Sequence, residues 1–131
     1  MDIGKKMFKI AVDFLNERYG GKSGGVAVLR TKTGAYLISV WPEVNNASVE
    51  LCAETGAICE AHKLNQKITH SLCVCRQQDG GAYEILTPCG VCQERLYFWG
   101  RDVQAAISTK KNAVVFKKLS EIQPYYFRDK H

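Results

Sequence analysis

The chain has 131 residues and a formal net charge of +5, with 46% hydrophobic and 24% charged residues. This length and composition are typical of one globular domain and exclude a TIM barrel, a protein kinase or a Rossmann enzyme with a separate substrate domain. The apolar content excludes a disordered chain, and three prolines are too few for a collagen-like one. We therefore expect a single domain over residues 1–131 whose core needs no disulfides.

The N-terminal segment begins with polar residues, and no apolar run approaches the roughly 18 residues that a membrane span needs. We therefore expect a cytoplasmic protein with no membrane partner. In a reducing cytosol, the six cysteines are more typical of metal ligands, catalytic groups or buried packing residues than of disulfides. The lysines are dispersed along the chain, which indicates a solvated surface and predicts no nucleic-acid partner, since a nucleic-acid interface would need a denser basic stripe.

The pattern of apolar residues predicts helices that alternate with strands. A helix begins near Ile3 and ends at Gly20, and two strands follow at residues 26–29 and 35–40 around a turn. The later elements are a helix over 52–63, a strand over 68–76, a helix over 89–99 and strands over 103–108 and 113–116. This order predicts an α/β fold in which a mixed sheet carries helices on its faces.

Two cysteine motifs stand at the starts of predicted helices: Cys-Ala-Glu at residues 52–54 and Pro-Cys-Gly-Val-Cys at residues 88–92. A Cys-x₂-Cys pair within one helical turn can direct two thiolates at one metal ion, and Cys52 would supply a third. Three protein ligands with an open fourth position are typical of catalytic zinc, whereas structural zinc has four. Glu54 would lie beside the metal without binding it, where a carboxylate can transfer protons.

On these motifs the chain resembles the cytidine deaminase family, which includes the blasticidin S deaminases. A gap of 36 residues separates Cys52 from Cys89, as is usual in small members. The Thr-Lys-Thr-Gly turn at residues 31–34 and the aromatic tail after Pro124 are also similar. The resemblance covers nearly the whole chain, although the identities concentrate in the two motifs. It implies a three-layer α-β-α sandwich with a mixed five-stranded sheet.

The resemblance implies hydrolytic deamination of a cytosine nucleoside, cytidine or deoxycytidine, which releases ammonia and leaves the uracil product. Blasticidin S or another cytosine-nucleoside analogue is the alternative substrate. One Zn²⁺ per subunit would be held by Cys52, Cys89 and Cys92, and Glu54 would be the catalytic proton carrier. Small members are commonly homotetramers in which loops and tails of neighbouring subunits complete each site, although a dimer is also possible.

The substrate contacts that the resemblance implies are the backbone around Ala53 and Pro88 and the ring of Phe127. Family members usually carry an Asn-x-Glu pair before the first ligand, and it binds the ribose hydroxyls. Here Glu43 fits the glutamate position, but Trp41 stands where the asparagine is expected. A shorter alignment instead matches Glu43 and Asn45 to the pair in reversed order. In either alignment the sugar pocket departs from the family pattern.

A second departure follows the last cysteine of the motif, where family members commonly have an arginine and this chain has Gln93. Three thiolates and one Zn²⁺ sum to a charge of −1, which glutamine does not offset. We expect Arg95, Arg101 or the helix dipoles to compensate for this charge.

A rival zinc site would use four cysteines in two pairs: Cys73, Cys75, Cys89 and Cys92. The gap of 13 residues between the pairs is close to that of zinc ribbons. This rival leaves the Cys52 motif unexplained, so we expect Cys73 and Cys75 to pack under a helix. Cys59 is likewise expected on the core face of its helix.

Two other classes of function are open. A nucleic-acid base deaminase is suggested by the positive charge, but no added basic helix is visible in the sequence. A non-catalytic zinc-binding scaffold would need no proton carrier such as Glu54. The Gly-Lys-Ser run at residues 21–23 lacks the first glycine of a phosphate-binding loop. The three histidines, His62, His70 and His131, match no ligand spacing.

Overall fold

The structure, a computed structural model, describes residues 1–129. The helices in this range are α1 (Ile3–Tyr19), α2 (Thr55–Leu64), α3 (Gly90–Leu96) and α4 (Leu119–Ile122). The strands are β1 (Gly24–Thr31), β2 (Tyr36–Val40), β3 (Ile68–Arg76), β4 (Glu84–Ile85), β5 (Gln104–Ala106) and β6 (Phe116–Lys118). None of the described helices has the length and apolar character that crossing a membrane requires. His131 lies outside the described residues.

One mixed sheet organises the chain, with strand order β2-β1-β3-β5-β6 and β4 paired to β3. The β3–β5 pair is parallel, and the other pairs are antiparallel. The mixed sheet was predicted, but the described residues form six strands where five were expected. Strand β4 has two residues, which is too short to give an alternating pattern in the sequence.

Helices cover both faces of the sheet because side chains of a strand point alternately to its two sides. Val26 and Val28 of β1 pack with Leu72 and with the buried face of α1, which carries Met7, Ala11 and Leu15. Ala27 and Leu29 point the other way and pack with the buried residues of α2 and α3: Ala57, Ile58, Ala61, Cys92 and Leu96. The three-layer α-β-α sandwich is therefore confirmed.

Several element boundaries differ from the prediction. Helix α2 begins at Thr55 rather than at residue 52, so that Cys52 and Ala53 lie in the preceding loop. The last strand covers 116–118 instead of 113–116. Ala113 belongs to the preceding loop instead, because its N–H donates to Thr109 Oγ1 at 3.1 Å.

Strands β4 and β5 pair with different parts of the same edge of β3. Residues His70 and Ser71 pair with β5, whereas Val74 and Cys75 pair with β4. Beyond β4 the N–H of Leu86 donates to the carbonyl of Cys73 at 3.1 Å. The segment that carries the second cysteine motif therefore leaves the sheet beside the middle of β3.

The start of α2 lies tightly against β2. The hydroxyl of Ser39 donates to the carbonyl of Ala53 with an oxygen–oxygen distance of 2.5 Å. A Cβ atom at Gly56 would lie 2.8 Å from Ser39 Cβ, which is closer than real Cβ contacts come. The absence of a side chain at Gly56 therefore allows the approach that fixes the loop with the first cysteine motif.

We expect Gly56→Ala to lower the free energy of unfolding by about 1–3 kcal/mol, because the new methyl group overpacks the contact with Ser39. Urea unfolding followed by circular dichroism measures this. Gly21→Ala is the matched control, since nothing lies within 4 Å of a Cβ at that position, and its change should stay within about 0.5 kcal/mol. Equal stability of both variants and the wild type would contradict the proposed close contact.

Candidate active site

The structure brings together the three cysteines that the two motifs single out. The Sγ atoms of Cys52, Cys89 and Cys92 all lie within 4.8 Å of one another, and those of Cys52 and Cys89 are 3.0 Å apart. Cys52 comes from the loop before α2, Cys89 precedes α3, and Cys92 lies in its first turn. The three sulfurs are free thiols rather than disulfide partners.

Their surroundings affect the three thiols differently. Burial, with the neighbouring thiol of Cys89 adding to it, raises the pKa of Cys52. Burial and the Glu54 carboxylate raise the pKa of Cys92. Burial also opposes ionisation of Cys89, but a hydrogen bond from Cys52 and the backbone N–H groups of Cys92 and Val91 lower its pKa overall. Of the three cluster thiols, Cys89 therefore ionises most easily.

The donor set fits a soft divalent cation. Within residues 1–129 this group consists of thiols alone, without carboxylate or imidazole. Thiolates at this spacing repel one another, and a cation among them replaces repulsion with attraction. Three sulfur ligands that leave a fourth position open are typical of a catalytic zinc centre.

Glu54 lies next to the cluster and is buried, with 3% of its surface exposed. Burial raises the pKa of its carboxyl group, while a backbone hydrogen bond and the Arg95 guanidinium oppose the rise. The residue stands at the N-terminal cap of α2, yet its side chain makes no capping hydrogen bond. Its carboxyl group is therefore available to exchange protons in the adjoining cavity.

A cavity of about 360 Å³ opens onto Cys52, Glu54 and Cys89. The other side chains that line it are Trp41, Glu50, Leu51, Cys73, Leu86 and Thr87, together with Ala53. Its size and its mainly apolar wall with a few polar groups are typical of small-molecule sites. A larger cleft of about 770 Å³ lies around Arg95 and Phe98 but contains none of the cluster cysteines.

The residues predicted to contact substrate lie in different places. Ala53 lines the cavity, and Pro88 is buried with its carbonyl accepting a 2.8 Å hydrogen bond from Gln93 Nε2. Glu43 and Asn45 are exposed; Glu43 lines a neighbouring cleft rather than the cavity. Phe127 is 73% exposed and is also outside it. Their roles in substrate binding stay predictions.

Sequence reasoning missed most of the cavity wall. Glu50 and Leu51 directly precede the first motif, and Leu86 and Thr87 directly precede the second. Residues adjacent to the two cysteine motifs must lie near the same cysteine cluster, so proximity in sequence could have identified them. Trp41 stands eleven residues before Cys52, and the signal it carried was its match to the position of the family asparagine.

The remaining cysteines and histidines are outside the cluster. Cys73 and Cys75 are buried in β3. Among the described residues the possible metal-ligand group contains Cys52, Cys89 and Cys92 without either of them, so the rival four-cysteine group is not formed. Cys59 is exposed, which shows that its predicted core position was wrong. The buried face of α2 carries Ala57, Ile58 and Ala61, and Cys59 points away from it. Among the described residues, His62 and His70 do not join the metal-ligand group.

Comparisons with known proteins were made by sequence and by structure. Neither protein-family models nor curated protein sequences gave a match. A solved structure of the cytidine deaminase from Bacillus anthracis is 45% identical, with a TM-score of 0.93 over 96% of this chain and 90% of that one. The cytidine deaminase from Mycobacterium leprae is 19% identical with a TM-score of 0.72, over 95% and 99% of the two chains. That from Burkholderia pseudomallei is 16% identical with a TM-score of 0.74, over 97% and 100%.

The fold, its likeness to the Bacillus anthracis enzyme and the site together indicate an enzyme of the metal-dependent hydrolase class, with three thiols that could hold a metal ion and a buried carboxyl group at the adjoining cavity. The two more distant likenesses show the shared fold. The 45% identity to the Bacillus anthracis enzyme, which spans nearly all of both chains, shows membership of the same family. The chain belongs to the cytidine deaminase family.

Proposed function

We propose that this enzyme is a zinc-dependent deaminase of cytosine nucleosides, which converts cytidine or deoxycytidine to the uracil nucleoside and releases ammonia. One observation carries the proposal: two members of the three-thiol cluster, Cys52 and Cys89, line a cavity large enough for a small molecule together with the buried carboxyl group of Glu54. Membership of the cytidine deaminase family supports it. A structural zinc centre would require neither the cavity nor the carboxyl group.

Cys52, Cys89 and Cys92 would hold one Zn²⁺ in each chain. When bound, the ion supplies Lewis-acid chemistry that makes water a good nucleophile near neutral pH. The thiols come from two separate elements, the loop before α2 and the start of α3. Binding of the ion would therefore join the two ends of the site and stabilise the fold.

Glu54 is the proton carrier in this proposal. Deamination requires that a proton leave the attacking water and that protons reach the ring nitrogen and the departing amine. A carboxyl group whose pKa is raised by burial exchanges protons more readily near neutral pH than an exposed one does. Glu54 lines the same cavity as Cys52 and Cys89, so the proton travels a short path.

The cavity wall holds the base in position. Trp41, Leu51 and Leu86 offer apolar surface to a flat ring. The carbonyl of Ala53 already accepts the Ser39 hydroxyl. A carbonyl oxygen has two lone pairs, so it keeps one acceptor site for the amino group of the substrate. The family resemblance adds the backbone of Pro88, whose carbonyl accepts the Gln93 amide.

Glu50 is our proposed partner for the hydroxyl groups of the sugar. Its side chain lines the catalytic cavity, whereas Glu43 and Asn45 do not. A carboxylate is an acceptor that can take a hydrogen bond from each of two hydroxyls. Trp41 lines the same cavity and stands where the family pattern expects an asparagine, and an analogue such as blasticidin S is the alternative substrate.

We also propose that the enzyme is a homo-oligomer, a tetramer by analogy with small family members, and that it works in the cytoplasm. Large exposed aromatic side chains support an oligomer, with Phe98 at 71% and Phe127 at 73% exposure. Because Phe127 lies outside the cavity of its own chain, it would contact substrate in a neighbouring subunit. A reducing compartment would keep the three ligand thiols free.

Glu54→Ala is expected to bind zinc as the wild type does while kcat for cytidine falls by about 10²- to 10⁴-fold, because the proton carrier is removed. Zinc content by elemental analysis and ammonia release measure the two properties. Glu54→Gln, which keeps the shape, should lose as much activity. Glu60→Ala on the exposed face of α2 is the control and should match the wild type. Substantial turnover by Glu54→Ala would refute the role.

Glu50→Ala is expected to raise the KM for cytidine about tenfold with little change in kcat, since a hydrogen bond to a charged group contributes about 1.5–3 kcal/mol. Steady-state kinetics on cytidine measure both constants. Glu43→Ala is compared directly, and its KM should stay within about twofold of the wild-type value. If Glu43→Ala raises KM and Glu50→Ala does not, the exposed loop carboxylate binds the sugar instead.

A further inference from the structure

The charge at the three-cysteine cluster needs a counter-charge. This inference rests on the proposed zinc site. Three thiolates around one divalent cation carry a net charge of −1, and the Glu54 carboxylate beside them can add a second negative charge. Burial of Cys92 and Glu54 removes the water that would screen this charge. A cation from the protein would therefore strengthen binding of the metal.

Arg95 is the described residue whose cationic group contacts a cluster sulfur. It lies on α3 one turn after Cys92, so both side chains share one face of the helix. Its Nη1 atom is 3.9 Å from Cys92 Sγ. The same Nη1 donates to Thr55 Oγ1 at 2.9 Å, which fixes the guanidinium between the two helices that start at the ligands.

Arg95 forms no ion pair with a carboxylate in the described part of the chain. The ion pairs found there join Lys9 to Asp13 and Lys118 to Asp102, and Arg95 takes part in neither. The guanidinium is half-buried, and its field reaches the Glu54 carboxylate. Its positive charge therefore acts on the cluster and on Glu54.

The other groups near the cluster are poorer sources of positive charge to offset the thiolates. Gln93 is neutral, and its amide donates to the carbonyl of Pro88 at 2.8 Å. Arg101 is exposed, so water screens its charge, and none of its described hydrogen bonds reaches a cluster residue. The seven residues of α3 give a short helix, whose dipole would supply a partial charge only.

We infer that Arg95 is a positioning residue of the metal centre: its guanidinium offsets the surplus negative charge of the thiolates and ties α3 to the start of α2 through Thr55. Arg95 is not among the residues that line the cavity beside Glu54. Its effect should therefore appear in the affinity for zinc and only indirectly in turnover.

The test measures the dissociation constant of zinc by chelator competition on the full chain. Arg95→Gln removes the charge, and we expect zinc affinity to fall about 10- to 100-fold, as for other partners of metal ligands. Arg95→Lys keeps the charge and should recover most of the affinity. Arg101→Gln is the matched control and should bind zinc as the wild type does. If Arg95→Gln does not fold, Arg95→Met, which keeps the apolar stem, takes its place.

The outcomes separate this inference from the proposed function. A wild-type chain that does not bind zinc would overturn the zinc site and, with it, the role of Arg95. A wild-type chain that binds zinc no more tightly than Arg95→Gln does would overturn the role of Arg95 alone. Equal weakening by Arg95→Lys and Arg95→Gln would also overturn it, because a purely structural role depends on the guanidinium fork and not on the charge.

Discussion

The approach of three cysteine sulfurs to within 4.8 Å of one another is the constraint on which the site depends. Burial raises the pKa of Cys52 and Cys92, and three thiolates at this spacing would repel one another, so a cation among them would favour ionisation of all three. The fold holds them there through ordinary packing: the core between the sheet and the helices α2 and α3 is continuous with the buried Cys92.

The two halves of the site are held by different means. The Cys52 half is fixed by the Ser39 hydroxyl on the Ala53 carbonyl and by the close packing at Gly56. The Cys89 half is fixed by one edge of β3, which pairs first with β5 and then with β4. After β4 the chain leaves the sheet at Leu86, whose N–H donates to the carbonyl of Cys73. Arg95 then links the halves through Thr55. Residues remote from the chemistry therefore determine where the ligands stand.

The parts of the molecule that depend on local spacing could be predicted from the sequence. The two short cysteine motifs predicted that Cys52, Cys89 and Cys92 lie together with Glu54 beside them, and the apolar run of residues 68–76 predicted the long strand β3. The wall of the cavity could be predicted only in part: Glu50, Leu51, Leu86 and Thr87 adjoin the two motifs, whereas the place of Trp41 depends on the path of a loop. The prediction that Cys59 lies on the core face was wrong for a related reason. Spacing along a helix shows which residues share a face, but it does not show which face is buried.

The central claim is that the cysteine cluster is a catalytic metal centre, and metal removal tests it most directly. Ammonia release from cytidine should vanish when a chelator strips the protein. It should return in proportion to added zinc and level off at one ion per chain. Turnover that survives complete metal removal would contradict the claim. So would a zinc-loaded protein that binds one ion per chain but releases no ammonia from any cytosine nucleoside or from blasticidin S.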